Sequence, residues 1–329
     1  MQEAIRYLTV DEAGQDQRLD NFLFKHLKGV PKTHVYRIIR SGEVRRNKTR
    51  AQADTRLAVG DELRIPPMRM SERIPDSPQH LVGTATLDAT PPKSLPILFE
   101  DDAFFAINKP AGIAVHGGSG VTFGVIEQLR RARPQAKYLE LVHRLDRETS
   151  GILLIAKKKR ALTALQDQFR ARQTGKVYLT LVKGAWQKPQ HTIDAALQKF
   201  NLSNGERRVR VVAKDHADAM ASLSLVKLLK VHAPSALTQA HGSSLLAVTI
   251  KTGRTHQIRV HMAHAGHVIA GDDKYGDFDW NKQLQAAGLK RMFLHAWRLQ
   301  LRHPVSGEAM QLQCELPPEL LPWAKGDSP

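Results

Sequence analysis

A charged segment near the middle of the chain holds the residues best suited to chemistry. It reads His-Arg-Leu-Asp-Arg-Glu-Thr-Ser-Gly over residues 143–151 and leads into an apolar run. Asp146 stands between Arg144 and Arg147, and a nearby guanidinium lowers the pKa of a carboxylate. An ionised Asp146 could act as a nucleophile or as a base at neutral pH. The structural alternative for such a loop is a surface cluster of ion pairs.

A second basic segment, Lys-Thr-Gly-Arg-Thr-His-Gln-Ile-Arg-Val-His, occupies residues 251–261. It follows an apolar run and turns at Gly253, which predicts a helix capped by Thr255 with basic side chains around a cleft. Histidines at positions 256, 261, 264 and 267 suggest a metal site as an alternative. We expect no metal, because the region has no cysteine and no recognisable carboxylate spacing. Phosphate contact or packing is the favoured role of these imidazoles.

A third segment, Lys-Val-Tyr-Leu-Thr over residues 176–180, places an aromatic ring in a predicted strand. A lone tyrosine in a strand is usually part of a core. A ring beside a carboxylate and an arginine is also what an extruded base needs for stacking. Both readings of Tyr178 stay open on these residues alone.

The elements that would position these segments predict an α+β domain with a mixed, mostly antiparallel sheet. Short β-rich runs predict strands, at Leu98–Phe99, Phe104–Ile107, Ile152–Ile155, Val177–Val182, Leu245–Ile250 and Leu299–Leu301. Helical spacing or composition predicts helices at Ala161–Ala171 and Arg259–Ala265. Residues 232–244 are predicted to form an exposed loop.

The N-terminal 65 residues form a separate segment with a strong positive charge. Two short helices are predicted, one reaching from Arg18 to Leu27 and one ending near Gly42, together with strands at Val44–Asn47 and Leu63–Ile65. Residues 25–50 contain nine Lys or Arg and one Glu, a net charge of +8. Such a module suits phosphate binding. Its expected RNA contacts are Lys25, Lys28, Lys32, Arg37, Arg40, Arg45, Arg46 and Lys48.

A proline-rich stretch divides the chain. Residues 66–96 hold seven of the 17 prolines and resist both helix and sheet. We therefore expect a basic domain over residues 1–65, a linker over 66–96, a catalytic domain over 97–321 and a tail over 322–329.

Overall composition points to a polyanionic partner. The net charge is +17 and the pI is about 10.1, and each phosphate neutralised by Lys or Arg releases counterions. The single cysteine, Cys314, excludes a disulfide framework, as expected in a reducing cytoplasm. The N-terminus lacks the pattern of a signal peptide, and no run approaches the roughly 20 apolar residues of a membrane span. We expect a cytoplasmic protein without membrane contact.

Two resemblances then become specific. Residues 17–65 resemble the small RNA-binding domain named after ribosomal protein S-four, through Arg18-Leu19-Asp20-x-x-Leu23, Gly42-Glu43-Val44, Asn47 and Gly60-Asp61. The three segments described first, in their order and approximate spacing, resemble the RluA-type pseudouridine synthase family. Further matches are Asn108-Lys109-Pro110-x-Gly112, Val115-His116, Gly271-Asp272-x-x-Tyr275-Gly276, Leu294-His295-Ala296 and His303-Pro304.

The second resemblance implies a role for each site residue. Asp146 would be the catalytic aspartate and Arg259 the arginine that pairs with it. Arg144 would take the place of the flipped base, while Tyr178 would stack on the uracil with Ile258 packed beside it. Arg147, Arg254 and His256 are expected to contact RNA. Asp146 would either attack the sugar or remove its 2′ proton.

The same resemblance implies an isomerisation of uridine to pseudouridine in large-subunit ribosomal RNA of a bacterium. Such a reaction needs no external donor, so no cofactor is expected, and the enzyme is expected to be a monomer. Three alternatives remain on sequence alone: action on transfer RNA or another RNA, a non-catalytic ribosome-assembly factor, and a metal-dependent nuclease built on the histidine cluster.

Overall fold

The structure is a computed structural model of the chain. It describes residues 5–27, 30, 32–67, 95–117, 123–203, 206–234 and 241–326. The chain divides into two compact units between Ala89 and Thr90, and each is described by itself. Residues 68–94 of the predicted linker lie outside the described residues. The exact domain boundaries stay a prediction.

The N-terminal unit packs two helices on a small antiparallel sheet. The helices are α1 (Leu19–His26) and α2 (Lys32–Arg40), and the strands are β1 (Arg6–Thr9), β2 (Arg45–Arg46), β3 (Thr49–Arg50) and β4 (Glu62–Ile65), in the order β1-β4-β2-β3. The apolar positions at helical spacing, among them Leu19, Phe22 and Leu23, are buried against Leu63 and Ile65. Both predicted helices and both predicted strands of this unit are confirmed.

Arg46 has a structural partner in this unit. Its Nε lies 2.6 Å from a carboxylate oxygen of Asp61, which also accepts hydrogen bonds from the Asn47 side chain and the backbone N–H of Ala58. Asp61 is buried, and an unpaired buried carboxylate would be costly. Arg46 therefore has a structural role in this unit, and its contact with RNA stays a prediction.

The C-terminal unit is built around a ten-stranded sheet. Its strands are β5 (Ile97–Glu100), β6 (Phe104–Lys109), β7 (Glu140–Leu141), β8 (Ser150–Ala156), β9 (Gly175–Lys183), β10 (Gln190–Asp194), β13 (Leu223–His232), β14 (Ser243–Ile250), β15 (Leu294–Arg302) and β16 (Ala309–Gln313). The order is β10-β13-β14-β9-β15-β8-β6-β5, with β16 beside β15 and β7 beside β8. A separate hairpin joins β11 (Leu197–Asn201) to β12 (Arg207–Val211). Only β15 and β8 pair in parallel among these strands, which confirms the mixed, mostly antiparallel sheet.

Helices cover both faces of the sheet. They are α3 (Val125–Ala132), α4 (Lys159–Arg170), α5 (Gln257–His264), α6 (Phe278–Ala286) and α7 (Leu321–Lys325). Side chains alternate between the faces of a strand, so Phe104 of β6 packs in a cluster with Leu165 of α4 while Phe105 packs in a different cluster with Val125 of α3. Burial on both faces explains why Ile152–Ile155 reads as a continuous apolar run.

Two predicted segments differ at their edges. His232 ends β13 and Ser243 begins β14, so the predicted loop 232–244 is shorter than expected, and its residues 235–240 lie outside the described residues. The predicted tail from residue 322 contains most of α7, because Trp323 is apolar and buries in a cluster with Trp280.

Gly151 is required where β8 meets β15. Its φ is +109°, a conformation that L side chains rarely adopt, and a Cβ there would lie 2.3 Å from the carbonyl oxygen of Ala296. Gly151 therefore allows β8 and β15 to approach closely and form the one parallel pair among the described strands. This pair lies next to the loop that carries Asp146.

A buried hydrogen-bond chain ties β15 to the start of β8. Arg291 donates to Ser150 Oγ at 2.6 Å, Ser150 Oγ lies 2.8 Å from His295 Nδ1, and His295 Nε2 lies 3.0 Å from the carbonyl oxygen of Cys314. The serine hydroxyl donates to Nδ1 and Nε2–H donates to the carbonyl, which is the neutral imidazole. Burial is the largest cause that lowers the pKa of His295 from 6.5 to about 4.

This chain of bonds predicts a stability loss in mild acid. In the unfolded chain His295 has its ordinary pKa near 6.5, whereas in the folded protein its pKa is about 4. The contribution of the neutral His295 to the free energy of unfolding is therefore complete above pH 6.5 and is lost as the pH falls toward 4. The full contribution is about 3 kcal/mol. Urea unfolding at pH 7, 6, 5 and 4 should show a shallower decline for His295→Gln than for the wild type. Parallel declines would contradict the assignment.

Candidate active site

Three segments far apart in sequence line one cavity of the C-terminal unit. The loop between β7 and β8 supplies Arg144 and Asp146, strand β9 supplies Tyr178, and residues 253–259 lead from β14 into α5. Strand β9 pairs with β14 in a register that sets Tyr178 opposite Val248, so the ring lies near the turn that follows β14. The cavity unites seven predicted residues, Arg144, Asp146, Tyr178, Arg254, His256, Ile258 and Arg259.

The loop that carries Asp146 is held from both sides. Leu145 is buried in a cluster with Val115 and Leu153, which anchors the loop to the sheet. The backbone N–H of Gly112 and the Nζ of Lys109 both donate to the carbonyl oxygen of Arg147, at 2.9 and 3.1 Å. The position of the carboxylate is therefore fixed by packing and by hydrogen bonds.

Lys109 was not predicted as a site residue. Its side chain is fully buried, and its Nζ also donates to the carbonyl oxygens of Pro110 and Ile113 at 2.7 and 2.8 Å. Burial is the largest cause that lowers the pKa of Lys109 to about 7, while Asp146 and Glu148 oppose that change. A lysine at the end of an otherwise apolar strand, followed by Pro110, is the signal that sequence reasoning could have used.

Asp146 does not form the expected ion pair with Arg259. Among the described residues, the basic side chain within 4.0 Å of its carboxylate is that of His256, with Nε2 at 4.0 Å from Oδ2. Arg259 lines the same cavity but donates through Nε to Asp272 at 2.7 Å and through a terminal nitrogen to Asp273 at 2.8 Å. The predicted pairing differs from the structure, because Asp272 binds the guanidinium of Arg259. Asp146 interacts with that guanidinium electrostatically, without an ion-pair contact.

The pair of Arg259 and Asp272 is buried, and several hydrogen bonds hold it in place. Asp272 also accepts hydrogen bonds from the backbone N–H groups of Lys274 and Tyr275. Burial opposes both charges, but the hydrogen bonds and mutual attraction outweigh it, so the pKa of Asp272 is lowered and that of Arg259 is raised, the latter with a further contribution from Asp146. Arg259 thus presents a permanent positive charge to the cavity.

His256 is held in a strained conformation that aims it at Asp146. Its φ is +52°, in the left-handed region that disfavours residues with a Cβ. Its Nδ1 lies 2.8 Å from the hydroxyl of Tyr275, which accepts from the backbone N–H of Val209 at 2.9 Å. The hydroxyl can donate its own proton to Nδ1, and in that tautomer Nε2 carries the N–H that faces the carboxylate. Burial is the largest cause that lowers the pKa of His256, so the ring is neutral at pH 7.

Tyr178 forms the apolar wall of the cavity together with Ile258. Both belong to the cluster between β14 and α5, where Ile258 is buried and Tyr178 is partly buried. Burial, and after it the charge of Asp146, raises the pKa of the Tyr178 phenol above its ordinary value. The phenol stays protonated at neutral pH, which suits stacking and hydrogen bonding rather than action as an ionised base.

The predicted arginines around the cavity differ in whether their side chains already have partners in the protein. Arg144 is exposed and makes no ion pair or hydrogen bond through its side chain with any described residue. Arg254 donates through Nε to the carbonyl oxygen of Ala221 at 3.2 Å. Arg147 pairs with Glu148 at 2.8 Å and lines an adjoining cavity with Asp146 rather than the cavity of Tyr178.

The other predicted RNA contacts belong to the N-terminal unit. Five of them have exposed side chains, namely Lys25, Arg37, Arg40, Arg45 and Lys48. Lys28 and the side chain of Lys32 lie outside the described residues. Within this unit, only Arg37 of the five forms an ion pair among the described residues, with Glu43 at 3.6 Å.

The described part of the chain shows neither a cluster of metal ligands nor a membrane-spanning helix. It contains no group of three or more His, Cys, Asp or Glu side chains placed to hold a metal ion. Nor does any helix in that part combine the length and apolar character needed to cross a membrane.

This fold and cavity define an enzyme that modifies RNA. Residues 103–264 match the family described as RNA pseudouridylate synthase, and residues 17–63 match the S4 domain. Together with the relatives described next, these matches show that the chain belongs to the RluA family of pseudouridine synthases. It is an isomerase that converts uridine to pseudouridine in RNA, and both predicted resemblances are confirmed.

The similar proteins include named enzymes and solved structures. The chain is 47% identical to "Ribosomal large subunit pseudouridine synthase C" of Haemophilus influenzae over 95% of its own length and 92% of that protein. It is 48% identical to the protein of the same name from Escherichia coli over 94% and 92%. Human RNA Pseudouridylate Synthase Domain Containing 1 has a similar structure, with a TM-score of 0.58, 26% identity, and coverage of 71% of this chain and 87% of that one.

Proposed function

We propose that this enzyme isomerises specific uridines in large-subunit ribosomal RNA, with Asp146 as the catalytic residue. The observation that carries the proposal is the single cavity where Asp146 faces a protonated tyrosine, a neutral imidazole and a permanently charged guanidinium. The choice of RNA is supported by relatives that carry that substrate in their names and share 47 to 48% of their residues with nearly the whole chain.

The reaction needs only groups that this cavity contains. The bond from ribose C1′ to N1 of uracil breaks, the uracil turns, and a bond from C1′ to C5 forms. A proton leaves C5 and N1 gains one, so atoms balance without a donor. Asp146 acts on the ribose, and its carboxylate shares the cavity with the charged guanidinium of Arg259 and with the His256 ring, whose Nε2 lies 4.0 Å from Oδ2.

The remaining side chains hold the extruded nucleotide. Removing a base from a stack costs a few kcal/mol, and stacking on an aromatic ring returns about 1–3 kcal/mol. Tyr178 and Ile258 supply that apolar wall. Arg144 has no side-chain partner among the described residues near the cavity, so its guanidinium is free to fill the gap left in the RNA.

The N-terminal unit adds affinity for RNA. Its exposed cations are expected to contact phosphates, and we propose that the whole enzyme works as a monomer in the cytoplasm. Neutralising Lys25, Arg40, Arg45 and Lys48 to Gln should weaken RNA binding and flatten its salt dependence, by about 0.7 to 0.9 in log–log slope for each phosphate that is no longer neutralised. Fluorescence anisotropy with a labelled rRNA fragment at several salt concentrations measures both.

The matched control for this prediction removes the same charge elsewhere. Four exposed cations of the C-terminal unit that line none of these cavities serve for this purpose, namely Arg131, Lys137, Lys158 and Lys290. Their replacement by Gln should leave the slope near that of the wild type. Equal slopes in the two variants would mean that the N-terminal unit has another role.

The proposed function is tested by mapping pseudouridine in cellular RNA. Carbodiimide-based mapping of large-subunit rRNA from cells with and without the gene should reveal positions that lose modification and regain it on complementation. An unchanged profile would reject large-subunit rRNA as the substrate. Loss at positions in transfer RNA would instead identify the alternative substrate.

A further inference from the structure

A second, larger cavity opens beside the active-site cavity and is lined by cations. It has a volume of about 500 Å³ and shares Arg144, Tyr178 and Arg254 with the active site. Six Lys or Arg side chains line it, namely Arg144, Arg170, Arg172, Lys176, Lys251 and Arg254. No Asp or Glu is among its described lining residues. We call this cavity the basic groove.

Five of the six cations that line the basic groove form no ion pair with a described carboxylate. Arg170 pairs with Asp167 at 2.6 Å on the exposed face of α4, but Arg172 and Lys251 are exposed and form no ion pair with any described carboxylate. Burial and the nearby charges of Arg172 and Lys251 lower the pKa of Lys176. Like charges that converge without a counterion repel one another, and a bound polyanion relieves that repulsion.

Arg172 gives a second, independent sign that the groove serves a ligand. It follows α4 with φ of +58°, and the bonds of Arg172 N–H to Phe169 and of Gln173 N–H to Gln168 close the end of the helix. Glycine is the usual residue at such a left-handed position because it has no Cβ. A strained residue with a long cationic side chain at the mouth of a groove is typical of a functional position.

We propose that the basic groove binds the sugar-phosphate backbone of the RNA strand beside the target uridine, with Arg172, Lys176 and Lys251 contacting its phosphates. This inference rests on the proposed function, because it continues the path of an RNA whose target base occupies the adjoining cavity. The six cations of the groove suit contact with phosphates, since no carboxylate among its described lining residues opposes them. Arg170 is expected to contribute less because Asp167 already pairs with it.

The test separates binding in the groove from the stability of the fold. In Arg172→Gly, a residue suited to the left-handed conformation replaces the cation, so the Tm should equal or exceed that of the wild type while RNA binding weakens. Lys251→Gln removes a second groove cation without touching the backbone. Arg131→Gln removes an exposed cation from α3, outside both cavities, and is the matched control.

The readouts are RNA affinity across salt concentrations and the kinetics of tritium release from RNA labelled at C5 of uridine. Each groove variant should bind a large-subunit rRNA transcript about fivefold to tenfold more weakly, lower the log–log salt slope by close to one, and change KM more than kcat. Affinity and slope equal to those of Arg131→Gln would overturn the inference while leaving the proposed function intact. Absence of tritium release by the wild type would overturn the proposed function. The binding data would still show whether the basic groove contacts RNA.

Discussion

Replacing Asp146 with Asn should abolish pseudouridine formation while RNA binding remains close to that of the wild type. The change keeps the size of the side chain and the packing of Leu145 beneath the loop, but the amide can neither attack the ribose nor take its proton. We expect kcat to fall by more than about 10³-fold. Tritium release and RNA affinity, measured on the same preparation, separate the two effects.

A control variant makes this prediction sharper. Asp102 is exposed and belongs to none of the described cavities near Asp146, so Asp102→Asn should match the wild type in both measurements. Activity retained by Asp146→Asn would remove Asp146 from the catalytic role. Loss of RNA affinity equal to the loss of activity would show that the carboxylate serves binding.

Replacing Asp272 with Ala should cause the largest loss of stability among single substitutions near the site. Asp272 and Arg259 are both buried, and the carboxylate accepts hydrogen bonds from Arg259 and from two backbone N–H groups. Its removal leaves a buried guanidinium with only the exposed Asp273 as a partner. The free energy of unfolding should fall by about 3 to 5 kcal/mol, as measured by urea denaturation.

An exposed ion pair supplies the comparison for Asp272. Lys214 and Asp194 lie 2.6 Å apart with both side chains largely in solvent, so Asp194→Ala should cost less than about 1 kcal/mol. In the Asp272→Ala protein that remains folded, kcat should also fall, because Arg259 loses the bonds that orient it toward the cavity. Similar losses in the two variants would show that the buried pair contributes no more than a surface contact.

Sequence patterns predict the central elements because each of them is buried in a regular way, on both faces in β8 and on one face in α4. Strand β8 is buried on both faces, so its run of Ile and Leu was unmistakable, and α4 showed clear helical spacing. The β11–β12 hairpin was not predicted, since Arg207, Arg208 and Arg210 interrupt its apolar positions and resemble a solvated loop. Strand order and register depend on contacts between distant segments, which one sequence does not contain.

The family resemblance predicts the site residue by residue, but it pairs Arg259 with Asp146, whereas the structure pairs Arg259 with Asp272. The carboxylates at positions 146, 272 and 273 all raise the pKa of Arg259. The sequence alone does not show which of them binds the guanidinium. The turn at residues 271–276 decides the matter, because its backbone N–H groups fix Asp272 where the guanidinium meets it. The contact of Tyr275 with His256 depends on the same turn, so the sequence does not predict it either.

The three carbonyl bonds of Lys109 bear on the energetics of substrate recognition. A loop that orders only when its ligand arrives consumes part of the binding free energy in lost conformational entropy. Because Lys109 and Leu145 already fasten the Asp146 loop in the free enzyme, little ordering of these residues remains to be done on contact with RNA. The preorganised loop leaves the attraction between basic surfaces and phosphates available for unstacking the uridine, and it presents the carboxylate to the ribose as soon as the base has turned out.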